Sequence, residues 1–113
     1  MTYFYTDNEA SRAEEMIPSM SYATLLENLE KLTALGVITP ESTVSMLVVA
    51  RLVDRARIRR SGVPAEVLTR TLDAYRTRKN PVHAVVMALE RAVEIALENK
   101  SEAAAHGAGR IGE

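Results

Sequence analysis

Ser21-Tyr22-Ala23-Thr24-Leu25-Leu26-Glu27-Asn28-Leu29-Glu30-Lys31-Leu32-Thr33-Ala34-Leu35-Gly36 places its large apolar side chains at Tyr22, Leu25, Leu26, Leu29, Leu32 and Leu35. Those spacings are 3, 1, 3, 3 and 3, which draw one stripe along a helix and cannot line one face of a strand. Ser21 supplies a hydroxyl for the first free amides, and Gly36 supplies the left-handed residue that ends such a helix. Upstream, Thr6-Asp7-Asn8-Glu9 has the form of a capping box, so a short helix is expected to run to about Met16 before Pro18 stops it. Downstream, Thr39-Pro40-Glu41 puts a cap, a first-turn proline and a first-turn carboxylate in order. The third helix then carries Val44, Met46, Leu47, Val48, Val49, Leu52 and Val53, apolar on most of its circumference, and is expected at the buried centre. From there the chain either stays helical to Arg60 or breaks near Asp54 and passes through Ala56-Arg57-Ile58 as an extended connection to Ser61-Gly62. Pro64 opens a fourth helix with Val67, Leu68, Leu72 and Tyr75 inward, ended by Thr77-Arg78-Lys79-Asn80. Asn80-Pro81 repeats the cap-plus-proline start for a fifth, with Val82, Val85, Val86, Leu89, Val93, Ala96 and Leu97 inward and Glu90, Glu94, Glu98 outward. No segment alternates over a length that builds a sheet, so the class is all-α.

Composition agrees with one globular domain. The 113 residues are 47% hydrophobic and 26% charged, with 5 glycines, 4 prolines and no cysteine. The missing thiols exclude disulfide scaffolds, thiolate metal sites and thiol catalysis. The longest apolar run, Ala84 to Leu89, is far shorter than the roughly 18 residues of a membrane span, so no membrane contact is expected. Met1-Thr2-Tyr3-Phe4-Tyr5-Thr6-Asp7 has no cationic stretch and no apolar core, which points to a cytoplasmic protein without a secretory signal. Residues 1–99 are expected to form the helical domain. Residues 100–113 have too little bulk to pack and are expected to form a flexible tail.

Met16-Ile17-Pro18-Ser19-Met20-Ser21-Tyr22-Ala23-Thr24-Leu25-Leu26-Glu27-Asn28-Leu29-Glu30-Lys31-Leu32-Thr33 resembles the "met-pro-x-thr-ala-leu-x-arg-asn-leu-gly-lys-met-thr" stretch of the TROVE domain of Ro ribonucleoproteins. Asn28, Lys31 and Thr33 are the polar positions that a generic leucine-rich helix would not keep in that order. Ala56-Arg57-Ile58, then Val67-Leu68 and Leu72-Asp73-Ala74-Tyr75, resemble the family's next landmark, and Ala88-Leu89-Glu90-Arg91-Ala92 resembles the helix closing its repeat region. The similarity spans about Glu14 to Asn99. It implies four to five helices packed as a fragment of a HEAT-like α-solenoid, with a compact helical bundle as the alternative. It also implies RNA as a partner, because the family's ring holds RNA ends in its hole and small RNAs on its outer face. The matched part is the last part of that ring, without the family's main RNA-contacting histidine. No Asp-x-Ser-x-Ser motif of the following von Willebrand A domain occurs. Glu27, Glu30 and Arg59-Arg60 depart from the family's arginine, glycine and His-Pro, and the link from Pro40 to Ala56 is shorter. A piece of about two repeats has flanks to cover, which implies a homodimer or a larger helical partner.

The formal charge of −1 conceals a strong asymmetry. Residues 1–50 hold two bases against seven carboxylates, residues 51–79 nine against three, and residues 80–113 three against five. Eight of the nine central bases are arginine, whose planar fork grips phosphate. Arg51, Arg55, Arg57, Arg59, Arg60, Arg76, Arg78 and Lys79 are accordingly the candidate RNA-binding residues. The same side chains also fit a solvated face, or an acidic protein surface. Arg51, Arg55 and Arg59 share one face if their helix continues, and Glu90, Glu94 and Glu98 recur at the same interval, so the two rows can neutralise each other.

Nothing in the chain assembles a catalytic group, a metal site or a cofactor site, and no small-molecule substrate is evident. His83 falls in a first helical turn and His106 in the tail. The serines lack a nucleophile-elbow context, no glycine-rich phosphate loop occurs, and Glu14-Glu15 point about 100° apart on a helix. Tyr3-Phe4-Tyr5, the one aromatic cluster, is read as a hydrophobic staple, with base stacking as the alternative. The expected activity is binding rather than catalysis: RNA contact, or docking as an accessory bundle. A helix-turn-helix DNA reader using Pro64 to Lys79 is the third reading, against which stands an Arg-rich link where a tight turn is wanted.

Overall fold

The computed structural model describes residues 10–112, with side chains as far as Glu102. The Thr6–Glu9 box and the Tyr3-Phe4-Tyr5 cluster lie outside them. Residues 10–16 are helical and pass into a 3₁₀ turn, Ile17–Ser19, that contains Pro18. Five helices follow: α1 (Tyr22–Ala34), α2 (Thr43–Leu52), α3 (Arg55–Ser61), α4 (Ala65–Arg76) and α5 (His83–Gly112). Among the described residues there is no strand, and the fold is all-α.

The bounds of α1 follow from its end chemistry. The Ser21 hydroxyl accepts from the Thr24 amide at 3.2 Å. At the other end the Val37 amide donates to Leu32 O and the Gly36 amide to Thr33 O, with Gly36 at φ 78°. That pair of bonds is a Schellman closure, and Val37 is buried behind it.

Three expected boundaries are corrected. Thr39 does not cap α2. Ser42 does, accepting from the Ser45 amide, while the buried Ser45 hydroxyl donates to Thr39 O at 2.6 Å and accepts from the Thr39 amide at 2.8 Å. Thr39-Pro40-Glu41 is thereby a turn held against the helix start. The chain after α2 is neither one long helix nor extended. Asp54 Oδ1 accepts from the amides of Ala56 and Arg57, so a break at Val53-Asp54 begins a separate helix, which Gly62 closes at φ 67°. Finally, Asn80 is no cap for α5: it sits in the left-handed region at φ 58°, and the Val82 carbonyl opens the helix by accepting from the amides of Val85 and Val86.

The buried centre is α5 rather than the third helix. Val85, Ala88, Leu89, Ala92, Ile95 and Ala96 are buried along one arc of α5. By contrast α2 buries Ser45, Val48 and Leu52 and leaves Met46 72% exposed. The alternation of valines, Met46 and Leu47 in α2 reflects contact on one side alone. Leu97, expected inward, is 51% exposed, because it lies outside the buried arc of α5. The packed part of α5 ends at Ala96 among the residues with described side chains, although its backbone is helical to Gly112.

Contacts pair the helices in a regular way: α4 packs most extensively on α5, α1 lies against α4, α2 against α5, and α3 against both α5 and α1. The start of α1 (Ser21 to Ala23) shares a cleft with Ser61, the last residue of α3 and four before α4, and Thr33 near its end bonds Tyr75 near the end of α4. Thus α1 and α4 run side by side in the same direction.

Candidate nucleic-acid interface

The break at Asp54 decides how the arginines are shared out. It rotates Arg55 and Arg59 away from Arg51, so the single face of three is not formed. Arg55 instead reaches Glu98 at 3.4 Å, Arg59 reaches Glu102 at 3.2 Å and Asn99 Oδ1 at 3.4 Å, and Arg91 joins Glu98 at 3.5 Å. Glu94 pairs with Arg91 on its own helix. Two rows do face each other, then, but through Glu98 and Glu102 rather than through Glu90. These pairs are exposed, so each contributes about 0.2–1 kcal/mol and yields readily to salt or to a competing phosphate.

Arg76 pairs with Asp73 one turn away. Arg78 is mostly buried, its side chain 17% exposed, and has a structural post. Its Nε donates to Glu30 at 2.6 Å, one terminal nitrogen donates to the carbonyls of Lys79 and Asn80, and its guanidinium lies 5.9 Å from the Tyr75 ring centre. It thereby holds the left-handed turn at Asn80. Arg51 has Nε and one terminal nitrogen enclosed without a hydrogen-bond partner among the described residues. Lys79 and Arg60 make no ion pair among the described residues.

Arg57 and Arg60 emerge from the side of α3 that faces α1. With Ser21, Tyr22, Ala23 and Ser61 they line a cleft of about 440 Å³ at the start of α1. Arg57 is tied there only by a 3.4 Å contact to Asp54. First-turn amides and two guanidinium groups all bring positive potential to this one place.

Two features were not read from the sequence. A second, larger groove of about 670 Å³ runs between α1 and α4, with Glu27 and Glu30 on one side and Arg70 and Arg78 on the other. The signal for it was present in the i, i+3, i+4 order of Val67, Arg70, Thr71 and Ala74 beside the apolar stripe. What was missing was knowledge that α4 lies beside α1. The Arg-rich segment also proves to be α3 itself, so the link into α4 is the three residues Gly62-Val63-Pro64, short enough for a helix-turn-helix. Glu66 and Asp73 nevertheless stand among the exposed residues of α4, where a DNA-reading surface needs positive charge.

His83 is exposed at the first position of α5. Among the described residues no three His, Asp or Glu side chains gather as metal ligands, and no helix is long and apolar enough to cross a membrane. No protein-family model, curated protein or solved structure matches the chain.

Proposed function

We propose that this chain is a non-catalytic, TROVE-like helical binding module that grips RNA backbone phosphates in the cleft between α1 and α3. Arg57 and Arg60 supply the guanidinium forks, and the amides that open α1 supply the helix end. The observation that carries the reading is the orientation of this arginine pair. Of the eight candidate bases, these two line the cleft at the start of α1 with no carboxylate of another helix paired to them among the described residues, whereas Arg55, and Arg59 beside the start of α4, are turned to the carboxylates of α5. Phosphate is the ligand such a site suits, with affinity that falls steeply as salt rises and little dependence on base sequence.

Two further observations support the TROVE-like part. Thr33 from the first similar stretch and Tyr75 from the second share a 2.9 Å hydrogen bond, so residues carrying the resemblance form one polar link between helices. The stacking of α1 on α4 and of α2 on α5 is also the way α-solenoid repeats cover their flanks. A cytoplasmic site of action, without metal or cofactor, belongs to the same reading.

The test is a titration of single-stranded RNA, structured RNA and duplex DNA with the full chain at about 50 and 200 mM salt, where phosphate contacts lose affinity steeply. RNA binding that weakens at the higher salt and in the R57A/R60A chain, but much less in R55A/R59A, is expected. No RNA complex at low salt, or a R57A/R60A chain that binds like the parent, overturns the proposal.

Docking to a protein is the second reading, favoured by the exposure of Met46 and Leu47 on α2 and of Met87 and Leu97 on α5. An intact fold that ignores RNA leaves this accessory-bundle role. Preference for duplex DNA in the same titration selects the helix-turn-helix reading instead.

A further inference from the structure

The groove between α1 and α4 has walls of opposite charge. Leu26, Val67 and Ala74 lie along it, Glu27 and Glu30 belong to α1, and Arg70 and Arg78 to α4. Near one end the walls are tied together by the 2.6 Å bond from Arg78 to Glu30. Along the rest no ion pair crosses it among the described residues. Glu27 lies midway between Ser21, which shares a cleft with the end of α3 before α4, and Thr33, which bonds Tyr75. Since the two helices run in the same direction, Glu27 stands at the level of Arg70. Both are exposed, and neither has an ion partner among the described residues.

We infer that a second copy of this chain seats on the α1–α4 groove, related by a two-fold axis parallel to the groove, so that Glu27 of each copy meets Arg70 of the other. The choice of occupant rests on charge complementarity. An axis along the groove sets each acidic wall against the other copy's basic wall. A two-fold axis lying across the groove would oppose acid to acid and base to base, which disfavours that arrangement. One rotation therefore makes the face complementary to itself, as an isologous dimer requires. Val67 and Ala74 are then shielded from water together with both ion pairs, which strengthens pairs that are weak on an open surface.

The size of the face sets the expected strength. Helices of 13 and 12 residues are about 18–20 Å long and pack about 8–10 Å apart, so the paired face is small for a specific interface. Association is accordingly expected to be weak and reversible. This inference is independent of the RNA reading, because Arg57 and Arg60 do not line the groove.

Sedimentation equilibrium of the full chain from micromolar to millimolar concentration tests it. The parent is expected to dimerise, and E27R and R70E each to raise the dissociation constant by about tenfold or more, since each sets like charges opposite each other twice. An equimolar mixture of E27R and R70E is expected to recover a one-to-one heterodimer, and E27R/R70E to recover the homodimer. Far-UV circular dichroism verifies that the variants are folded; both positions are exposed, so folding is expected to persist. A parent that stays monomeric throughout overturns the inference. So do single variants that dimerise like the parent, or a mixture that remains monomeric.

Discussion

The phenol of Tyr75 lies 2.9 Å from Thr33 Oγ1 and accepts from the Val82 amide at 3.2 Å, joining α1, α4 and the approach to α5 at one buried oxygen. Thr33 Oγ1 in turn donates to Leu29 O at 2.8 Å. The donors order themselves: Val82 N–H to Tyr75, Tyr75 O–H to Thr33, Thr33 O–H to the helix backbone. Each of the two hydroxyls both gives and receives, so the buried Tyr75 oxygen and the half-buried Thr33 oxygen are both paired.

Removal of that oxygen by Tyr75→Phe leaves the Val82 amide without its partner. The expected loss of stability is about 1–3 kcal/mol, the penalty for an unpaired buried donor. Thr33→Val should cost less, because Tyr75 keeps the amide. Urea unfolding of both variants checks the order; equal losses, or none for Tyr75→Phe, contradict the arrangement.

Burial pushes the Tyr22 phenol well above its ordinary value, and its hydroxyl donates to Leu52 O at 2.6 Å. A folded pKa above the unfolded one favours the protonated form in the native state. The resulting stability is fully present below pH of about 10 and is lost as pH rises beyond it. Stability should therefore fall above about pH 10, and less steeply in Tyr22→Phe, which lacks the group. Denaturation midpoints measured at neutral and strongly alkaline pH decide this, and parallel slopes in parent and variant contradict it.

Leu89 is fully buried on α5, and Leu97 two turns later is half exposed. Leu89→Ala is expected to cost about 2–5 kcal/mol through lost burial and a cavity. Leu97→Ala should stay within about 0.5 kcal/mol, as surface changes do. Thermal unfolding of the two variants checks a contrast that an inward Leu97 would erase.

The Arg55–Glu98 contact is exposed on both sides, and its coupling in a double-alanine cycle is expected at about 0.2–1 kcal/mol, shrinking with added salt. A coupling above that range, or one unaffected by salt, would mean that the pair is more enclosed than its geometry indicates.

Most of α1 was legible from its residues because every determinant is local. Ser21 caps through an amide three residues on, Gly36 turns the chain where φ must be positive, and the leucine stripe falls on a single face. The start of α2 was less so. Thr39 and Ser42 are both good caps, and the choice between them is made by the buried Ser45 hydroxyl, which engages both the amide and the carbonyl of Thr39. Asp54 had a stop signal on one side and an arginine-rich helix on the other. A carboxylate that accepts two amides can end one helix and begin another, which spacing alone does not distinguish from a continuous one.

For this protein, the sequence alone determined the all-α class, the ends of α1, and the concentration of arginine between residues 51 and 79, since helix period, cap chemistry and charge are properties of neighbouring residues. Only the tertiary structure decided which arginines face a cleft. That depends on a kink at Asp54, on Glu98 and Glu102 lying more than 40 residues from their partners, and on α1 coming to rest beside α4. Charge attraction acts through space, so which arginine is engaged and which faces the cleft is set by the packing of helices far apart in the chain.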